Sequence, residues 1–210
     1  MNSFDSRGFT ASNNRGLRTR GNRSRFNDIA FVGRVEFQPI TQINIGGSIF
    51  LGQTGQNEKF EGQTIDGFFQ MYEADVRLQW RGFEGRGLFV YTFLDDAELI
   101  NANNELTGDD SVGEEQFGWY VEGAYNILSF ADVHEYFQYL APFIRYEKYD
   151  TQKDVPSGFF RNPENDREIL TVGLSYKPIP NVVVKFDYQN RDNRANISSD
   201  QFNLGLGYVF

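Results

Sequence analysis

The sequence contains no cysteine, and no apolar run approaches the roughly 18 to 20 residues that a transmembrane helix requires. Without cysteine, disulfide scaffolds, thiolate metal sites and cysteine nucleophiles are excluded. The single histidine, His134, has no nucleophile motif to accompany it, and no glycine-rich phosphate loop precedes a helical segment. We therefore expect no enzymatic activity, no cofactor and no metal site.

Basic residues are outnumbered, with 20 Lys and Arg against 29 Asp and Glu and a net charge of −9. Nucleic-acid-binding proteins are usually basic, so nucleic acid is not an expected partner. The one basic cluster lies in a polar stretch that we interpret as a flexible loop, and it consists of Arg15, Arg18, Arg20, Arg23 and Arg25. Residues 1–27 show no apolar core of a signal peptide, which predicts that an export signal would lie on a longer precursor.

From Ile29 onward, apolar and polar side chains alternate with a period of two, as in strands that have one wet face. In residues 72–80, Tyr72, Val76 and Trp80 fall on one face, and Glu73 and Asp75 fall on the other. We count about nine such runs of about 9 to 12 residues. These runs exceed a typical soluble strand and match a tilted membrane strand. The 21 Phe and 11 Tyr residues suit the aromatic girdles of a membrane barrel.

The connections alternate between short and long. The short ones are predicted near Pro39, Gly82, Ser129 and Pro178, and the long polar ones at 52–67, 94–114, 150–166 and 191–200, with a short helix near 95–105. Outer-membrane barrels combine short periplasmic turns with long extracellular loops. We therefore predict an all-β fold, an antiparallel transmembrane β-barrel. Residues 28–210 form its C-terminal part, and residues 1–27 form a polar loop or partial strand, with a partial tenth strand in 1–12. An odd count near nine predicts a fragment of a barrel of about 16 to 18 strands.

The final segment "FNLGLGYVF" resembles the C-terminal assembly signal of outer-membrane barrels, and the matching positions are Phe202, Leu204, Leu206, Tyr208 and Phe210. The segments "SFDSRGFTASN", "FVGRVEF", "APFIRYEKYD" and "VVVKFDYQ" resemble the second half of large bacterial porins, nearest to the phosphate-selective porin (O and P)-like family. This resemblance implies a place in the bacterial outer membrane, recognition by the barrel assembly machinery, contact with outer-membrane lipid and lipopolysaccharide, and a homotrimer.

A porin needs no catalytic residues, but it needs a wet lumen whose charges bias passing ions. The candidates for lining this pore are the charged side chains of the polar strand faces: Arg34, Glu36, Glu73, Asp75, Arg77, Arg86, Glu122, Arg145, Glu147, Lys177, Lys185, Asp187 and Arg191. Each is equally well interpreted as a cross-strand ion pair or a solvated group. Both signs are nearly balanced here, so phosphate selectivity rests on the family resemblance.

The acidic side chains near the helix are interpreted as a solvated extracellular loop rather than a cation site, because their spacing fits no defined motif: Asp95, Asp96, Glu98, Asp109, Asp110, Glu114 and Glu115. The leading function is a channel for passive diffusion of small hydrophilic or anionic solutes, phosphate among them. The alternatives are a non-conducting structural or enzymatic outer-membrane barrel, and a soluble β-sandwich binding module. An incomplete barrel has two unpaired edges, so the isolated chain is expected to aggregate or to close into a smaller, strained barrel.

Overall fold

The computed structural model describes residues 5–14, 27–130 and 139–209. Alternating sequence yields long strands, and those of the described residues are β1 (Ala30–Ile40), β2 (Ile43–Gln53), β3 (Lys59–Phe60), β4 (Gln63–Thr64), β5 (Phe68–Trp80), β6 (Phe83–Leu94), β7 (Glu115–Tyr125), β8 (Tyr139–Asp154), β9 (Asp166–Ile179), β10 (Val182–Asn193) and β11 (Gln201–Tyr208). Nine of them form one sheet in the order β1-β2-β5-β6-β7-β8-β9-β10-β11, and β3 pairs with β4 in a separate hairpin.

Every pairing in the large sheet is antiparallel, so the predicted all-β antiparallel fold is confirmed. The sheet is open rather than closed into a barrel. Within the described ranges, β1 pairs with β2 alone and β11 with β10 alone. The barrel itself is therefore a proposal.

Short and long connections lie at opposite ends of the sheet, which we call the turn end and the loop end. Two-residue turns at 41–42, 81–82 and 180–181 form the turn end. Arg81 and Gly82 both have positive φ, of 48° and 82°, as the primed hairpin turns require. The turns at 41–42 and 180–181 lie near Pro39 and Pro178, as predicted, and both prolines are the last residue but one of a strand. The register of β1 shifts between Phe37 and Ile40, where proline has no N–H to donate.

The connections at the loop end carry structure of their own. The predicted short helix is confirmed as α1 (Ala97–Asn103), whereas the hairpin of β3 and β4 was not predicted. The expected tenth strand is absent from residues 5–14, which form a 3-10 turn at Ser6–Gly8 and an isolated bridge between Thr10 and Asn13. A 3-10 turn at Ile127–Phe130 begins the β7–β8 connector. His134 and the cluster from Arg15 to Arg25 lie outside the described residues.

A compact apolar cluster, which we call the loop-end core, joins these loops. It consists of Phe9, Ile65, Phe69, Leu94, Ala97, Ile100 and Val112. Phe9 reaches it from residues 5–14, with its ring 5.8 Å from that of Phe69. Ala97 and Ile100 are three residues apart on α1 and so share one helix face. The predicted polar loops are therefore folded over the end of the sheet.

The two faces of the sheet are inverted relative to a soluble protein. We call the face bearing the charged candidates the polar face and the opposite one the apolar face. Ile144, in an interior strand, is 54% exposed on the apolar face, whereas the side chain of Asp75 on the polar face is 9% exposed. The exposed apolar residues include Phe31, Val35, Phe37, Ile45, Tyr72, Val76, Phe89, Val121, Ile144, Leu170, Val172, Leu174, Phe186, Phe202, Leu204, Leu206 and Tyr208. A contiguous apolar surface of this extent is typical of a membrane or interaction surface.

Across the described part of the chain, no helix combines the length and the apolar character that crossing a membrane requires.

Candidate channel-lining face

The strand register places all thirteen predicted pore-lining residues on the polar face. Residues directly opposite one another in an antiparallel ladder point to the same side of the sheet. One such row crosses eight strands and consists of Glu36, Gly46, Asp75, Leu88, Tyr120, Glu147, Ile169 and Arg191. The other nine candidates lie an even number of residues away from members of this row.

Arg34 forms the densest polar contact on this face. Its Nε donates to Glu36 Oε1 at 2.8 Å, and its Nη1 donates to Ser48 Oγ at 2.9 Å and Glu73 Oε2 at 3.1 Å. Its Nη2 donates to Asp75 Oδ2 at 2.7 Å. Charge-assisted bonds of this kind are stronger than neutral ones. Because the partners come from three strands, this arginine ties β1 across β2 to β5.

Gly46 makes this crossing possible. A Cβ at Gly46 would lie 2.3 Å from both Arg34 Nη2 and Asp75 Oδ2. We expect Gly46→Ala to displace the guanidinium and to lower the free energy of unfolding by about 1–3 kcal/mol. Denaturant unfolding in micelles checks this.

Gly47→Ala is the matched control, because its Cβ would lie no closer than 3.6 Å to Glu73 O. Equal destabilisation by the two variants would contradict a crossing arginine held over Gly46.

Two arginines near the turn end have no such partners. Arg77 and Arg86 lie directly opposite each other on β5 and β6, and both side chains are largely exposed. Their nearest carboxylate oxygens lie between 3.6 and 3.9 Å away, beyond good hydrogen-bond distance. Like charges directly opposite in a sheet repel each other. Both guanidinium groups thus have carboxylates at ion-pair distance but form no close hydrogen bond with them.

The arginine pair borders an open cavity of about 480 Å³. Its other lining groups include the amides of Gln38, Gln42, Asn44 and Gln79 and the ring of Tyr120. Glu84, whose carboxylate lies 3.6 Å from Arg86, also lines the cavity, so the lining combines two positive charges and one negative charge with neutral donors and acceptors. Such a surface suits a hydrated anion or a hydroxylated solute.

The basic candidates on the other half of the sheet contact rings and amides. Lys177 lies 4.6 Å from the centre of the Tyr139 ring, and Lys185 lies 4.3 Å from that of Phe143. Arg191 donates to Gln201 Oε1 at 3.3 Å. Within the described residues, no carboxylate lies within 4 Å of Lys177 or Lys185.

The remaining candidates form paired contacts. Arg145 Nε donates to Glu147 Oε2 at 2.6 Å, and its guanidinium lies 3.7 Å from the centre of the Tyr120 ring. Glu122 Oε2 lies 3.9 Å from Arg145. Asp187 accepts a hydrogen bond of 2.8 Å from Asn203. The Arg145–Glu147 ion pair lies within β8. The contacts of Glu122 and Asp187 cross between neighbouring strands, as the alternative interpretation expects.

Positive and negative side chains are unevenly distributed across the polar face. Acids are in excess on β1 to β7, and basic residues are in excess on β8 to β10. Strands β1 to β7 carry three arginines and five acids there: Arg34, Arg77, Arg86, Glu36, Glu73, Asp75, Glu84 and Glu122. Strands β8 to β10 carry five basic residues and two acids: Arg145, Arg167, Lys177, Lys185, Arg191, Glu147 and Asp187. Sequence reasoning found the overall balance of signs but missed this separation, because the strand order had to be known.

Two rows of aromatic residues border the apolar face. The row toward the loop end contains Tyr72, Tyr91, Phe117, Tyr146 and Tyr188, and the row toward the turn end contains Trp80, Phe83, Tyr125, Tyr176 and Tyr208. Tyr72 and Trp80 are eight residues apart on β5, which is about 26 Å along a strand. Aromatic girdles around an apolar band about 25 Å tall are typical of transmembrane barrels.

Beyond the loop-end row, the apolar face becomes polar at once. The Tyr146 hydroxyl donates to Glu168 at 2.6 Å, and Lys148 Nζ pairs with the same carboxylate at 2.6 Å. Two further tyrosines repeat this contact, since Tyr91 donates to Glu115 and Tyr188 to Asp200. A tyrosine with an apolar body and a hydrogen-bonded tip suits a membrane–water boundary.

The predicted assembly signal lies on this apolar face. Phe202, Leu204, Leu206 and Tyr208 share one side of β11 and are all exposed. Phe210, the terminal aromatic of that prediction, lies outside the described residues.

The acidic loop contains a half-buried carboxylate, Glu114. Burial raises the pKa of Glu114 above its usual range, and the negative charges of Asp154, Glu115, Glu98 and Asp95 raise it further. Within the residues that the structure describes, no group of three or more acidic or histidine side chains is placed to hold a metal ion. The acidic side chains around Glu114 repel one another, and this repulsion contributes to its raised pKa.

A raised pKa gives this loop a pH dependence. The folded loop binds the Glu114 proton more tightly than the unfolded chain does, so the stabilisation is present at acid pH and is lost as pH rises through the raised pKa. We expect hydrogen-exchange protection of residues 95–114 to fall as pH rises from the ordinary range of a glutamate carboxyl through the raised pKa of Glu114. Glu114→Gln should flatten this profile and raise protection at neutral pH.

Asp110→Asn is the control, because Asp110 is exposed at the loop surface. An unchanged pH profile in Glu114→Gln would show that another group carries the effect.

Comparison with known proteins adds a relative but no family. No family model matches the chain. Over 199 residues the chain is 30% identical to an uncharacterized protein of Aquifex aeolicus (strain VF5), and the match covers 92% of this chain and 44% of that protein. The chain thus spans less than half the length of this relative.

Proposed function

We propose that the protein is part of an outer-membrane channel of the porin type, through which small hydrophilic solutes, anions among them, diffuse passively. The observation that carries this proposal is the inverted sheet. One face is apolar, continuous and bordered by aromatic residues, and the other carries the thirteen charged candidates. A strand needs these two faces when lipid lies on one side and water on the other.

The Arg77–Arg86 pair supports a preference for anions. Its guanidinium groups lie beside an open polar cavity, and the carboxylates nearest to them, at 3.6 to 3.9 Å, form no close hydrogen bond with them. Charged side chains that ring a pore set its ion selectivity, and paired arginines suit carboxylate and phosphate oxygens. The resemblance to phosphate-selective porins agrees with this preference, so phosphate is the first solute to test.

Conductance across a planar bilayer tests the proposal. The full-length protein, purified from its own membrane, is expected to give stable ohmic steps and an anion-selective reversal potential in a salt gradient. Replacing both Arg77 and Arg86 with Gln should lower the anion-to-cation permeability ratio by about twofold or more. Arg81→Gln is the matched control, because Arg81 lies in the β5–β6 turn, where it covers the Trp80 ring. A folded, membrane-inserted protein that gives no current would contradict the channel.

A non-conducting barrel is the second candidate, and the loop-end core favours it. Phe69 and Leu94 are opposite each other on the polar face, and residues 5–14 pack against them there. If the polar face lines the lumen of a barrel, residues 5–14 would narrow that lumen. The soluble β-sandwich has no comparable support, because no second sheet covers the apolar face within the described residues.

A further inference from the structure

Asp75 carries a buried carboxylate oxygen that accepts no hydrogen bond. The Asp75 side chain is 9% exposed, and its Oδ2 accepts from Arg34 Nη2 at 2.7 Å. Its Oδ1 is enclosed and has no hydrogen-bond partner among the described residues. A buried charged oxygen without a partner is costly. Asp75 Oδ1 can therefore gain a strong hydrogen bond from a ligand that brings a charged donor.

Positive groups lie beside this oxygen without binding it. Arg77 Nε is 3.8 Å from Asp75 Oδ1, which is too far for a hydrogen bond. Arg86 lies opposite Arg77 on β6, and its nearest carboxylates are 3.6 and 3.9 Å away. Because the Arg77 side chain is 69% exposed, it can turn and leave room beside Asp75. An acceptor and two donors thus lie side by side, each without a close partner.

Two cavities meet at this point. The open cavity described above and a second one of about 330 Å³ share Arg77, Arg86 and Tyr120 in their walls. Asp75 and Glu36 border the second cavity, and the four amides named above border the first. Cavities of a few hundred Å³ are the usual size for small-molecule sites. A small organic ligand can therefore lie across the junction and reach charged groups of both signs.

The charges around the two cavities nearly cancel. They come from three arginines and four acids: Arg34, Arg77, Arg86, Glu36, Glu73, Asp75 and Glu84. A solute that carries only negative charge is repelled by the acids, and one that carries only positive charge is repelled by the arginines. A solute with one charge of each sign, placed close together, is complementary to both sets.

We propose that this junction binds free α-amino acids with an uncharged polar side chain, in their zwitterionic form. The inference rests on the proposed channel, which brings such solutes to the polar face, and it narrows the anion preference to carboxylates with a neighbouring ammonium. The ligand carboxylate pairs with Arg77 and Arg86, and the ligand ammonium donates to Asp75 Oδ1 and to Glu36.

Two observations select a free amino acid over a peptide. The 3.8 Å between Arg77 Nε and Asp75 Oδ1 suits charges attached to a single carbon atom, and it is too short for the two ends of a peptide. The amides of Gln38, Gln42 and Asn44 border the adjoining space, where the ligand side chain would lie. Amide groups favour a side chain that both donates and accepts hydrogen bonds.

Equilibrium binding tests the inference separately from conduction. The full-length protein, purified from its own membrane in detergent, is titrated with L-glutamine and followed by saturation-transfer NMR. Glutaramate, which lacks the α-ammonium, and L-glutamine α-amide, which lacks the carboxylate, are titrated alongside. Each analogue is expected to bind at least about tenfold more weakly than L-glutamine, since each loses a charge-assisted hydrogen bond.

Substitutions assign the two halves of the site. Glu36→Gln is expected to weaken L-glutamine binding by about threefold or more and to leave glutaramate binding unchanged, because only the ammonium contacts Glu36. Replacing both Arg77 and Arg86 with Gln should weaken L-glutamine binding by about tenfold. Arg191→Gln is the matched control, because Arg191 lies on the polar face of β10 and borders neither cavity.

Four results would overturn the inference. Glutaramate or phosphate that binds as tightly as L-glutamine would indicate a site for negative charge alone. Tighter binding of L-alanyl-L-glutamine would indicate a peptide site. Equal weakening by Arg191→Gln would indicate a general field of the polar face, and no binding of L-glutamine to the folded protein would remove the site. A protein that binds L-glutamine in this pattern but carries no current would contradict the channel and support the site.

Discussion

Phe89→Arg is expected to destabilise the protein in a bilayer by about 2–4 kcal/mol, whereas Leu88→Arg is expected to cost less than about 1 kcal/mol. The two residues are neighbours on β6 and both are large and apolar. Phe89 lies on the apolar face between Ala74 and Trp119. Leu88 lies on the polar face, opposite Asp75 and Tyr120. In the proposed barrel, an arginine at position 88 would meet carboxylates and water, and one at position 89 would meet lipid.

Urea unfolding in phospholipid vesicles measures both costs, with the parent protein alongside. Composition alone predicts equal effects, so the difference between the two variants isolates the role of the face. If Phe89→Arg left the free energy of unfolding unchanged, and the protein were soluble without detergent, the apolar face would be in water. That result would contradict the membrane assignment and favour the soluble alternative.

Gln152→Leu is expected to release two loops at once while leaving the sheet folded. Gln152 is fully buried near the end of β8. Its Nε2 donates to Asp109 O at 3.0 Å and Ser111 O at 2.5 Å. Its Oε1 accepts from Asn162 N at 2.7 Å and Asn165 Nδ2 at 3.0 Å. One amide thus joins the segment before β7 to the segment before β9.

Leucine fills the space but can form none of these hydrogen bonds. Each buried polar group left without a partner costs about 1–3 kcal/mol, so the local stability of the two loops should fall by about 3 kcal/mol or more. Hydrogen exchange at 108–112 and 160–165 should rise together, while exchange in the middle of β8 and β9 stays slow. Gln189→Leu, at an interior position of the polar face on β10, is the control. Independent responses of the two loops would contradict a shared anchor.

The faces of the sheet were predictable from the sequence because strand side chains alternate with a period of two. All thirteen charged candidates fall on one face in the structure, from Arg34 on β1 to Arg191 on β10. The contrast between short turns and long loops was also predictable, since it depends on the spacing of the alternating runs. These features are local and need no knowledge of which strands meet.

The contacts that join distant parts of the chain were not predictable. The Arg34 contacts require β2 between β1 and β5, with Gly46 under the guanidinium. The loop-end core gathers Phe9, Ile65 and Ile100 from three polar segments, each too sparse in apolar residues to mark a core. The two apolar residues three apart on α1, Ala97 and Ile100, were the one signal available.

The folded loops also determine where a peptide can be inserted without disturbing the fold. Gly62 at the tip of the β3–β4 hairpin and Gly158 between β8 and β9 have positive φ, and added atoms at either would meet open space. Residues 109–112, bonded to Gln152 and Asn101, offer no such freedom. Peptide epitopes inserted at the two glycines should leave the sheet intact and, in the proposed orientation, face the medium. The protein would then serve as a scaffold for displaying peptides on the cell surface.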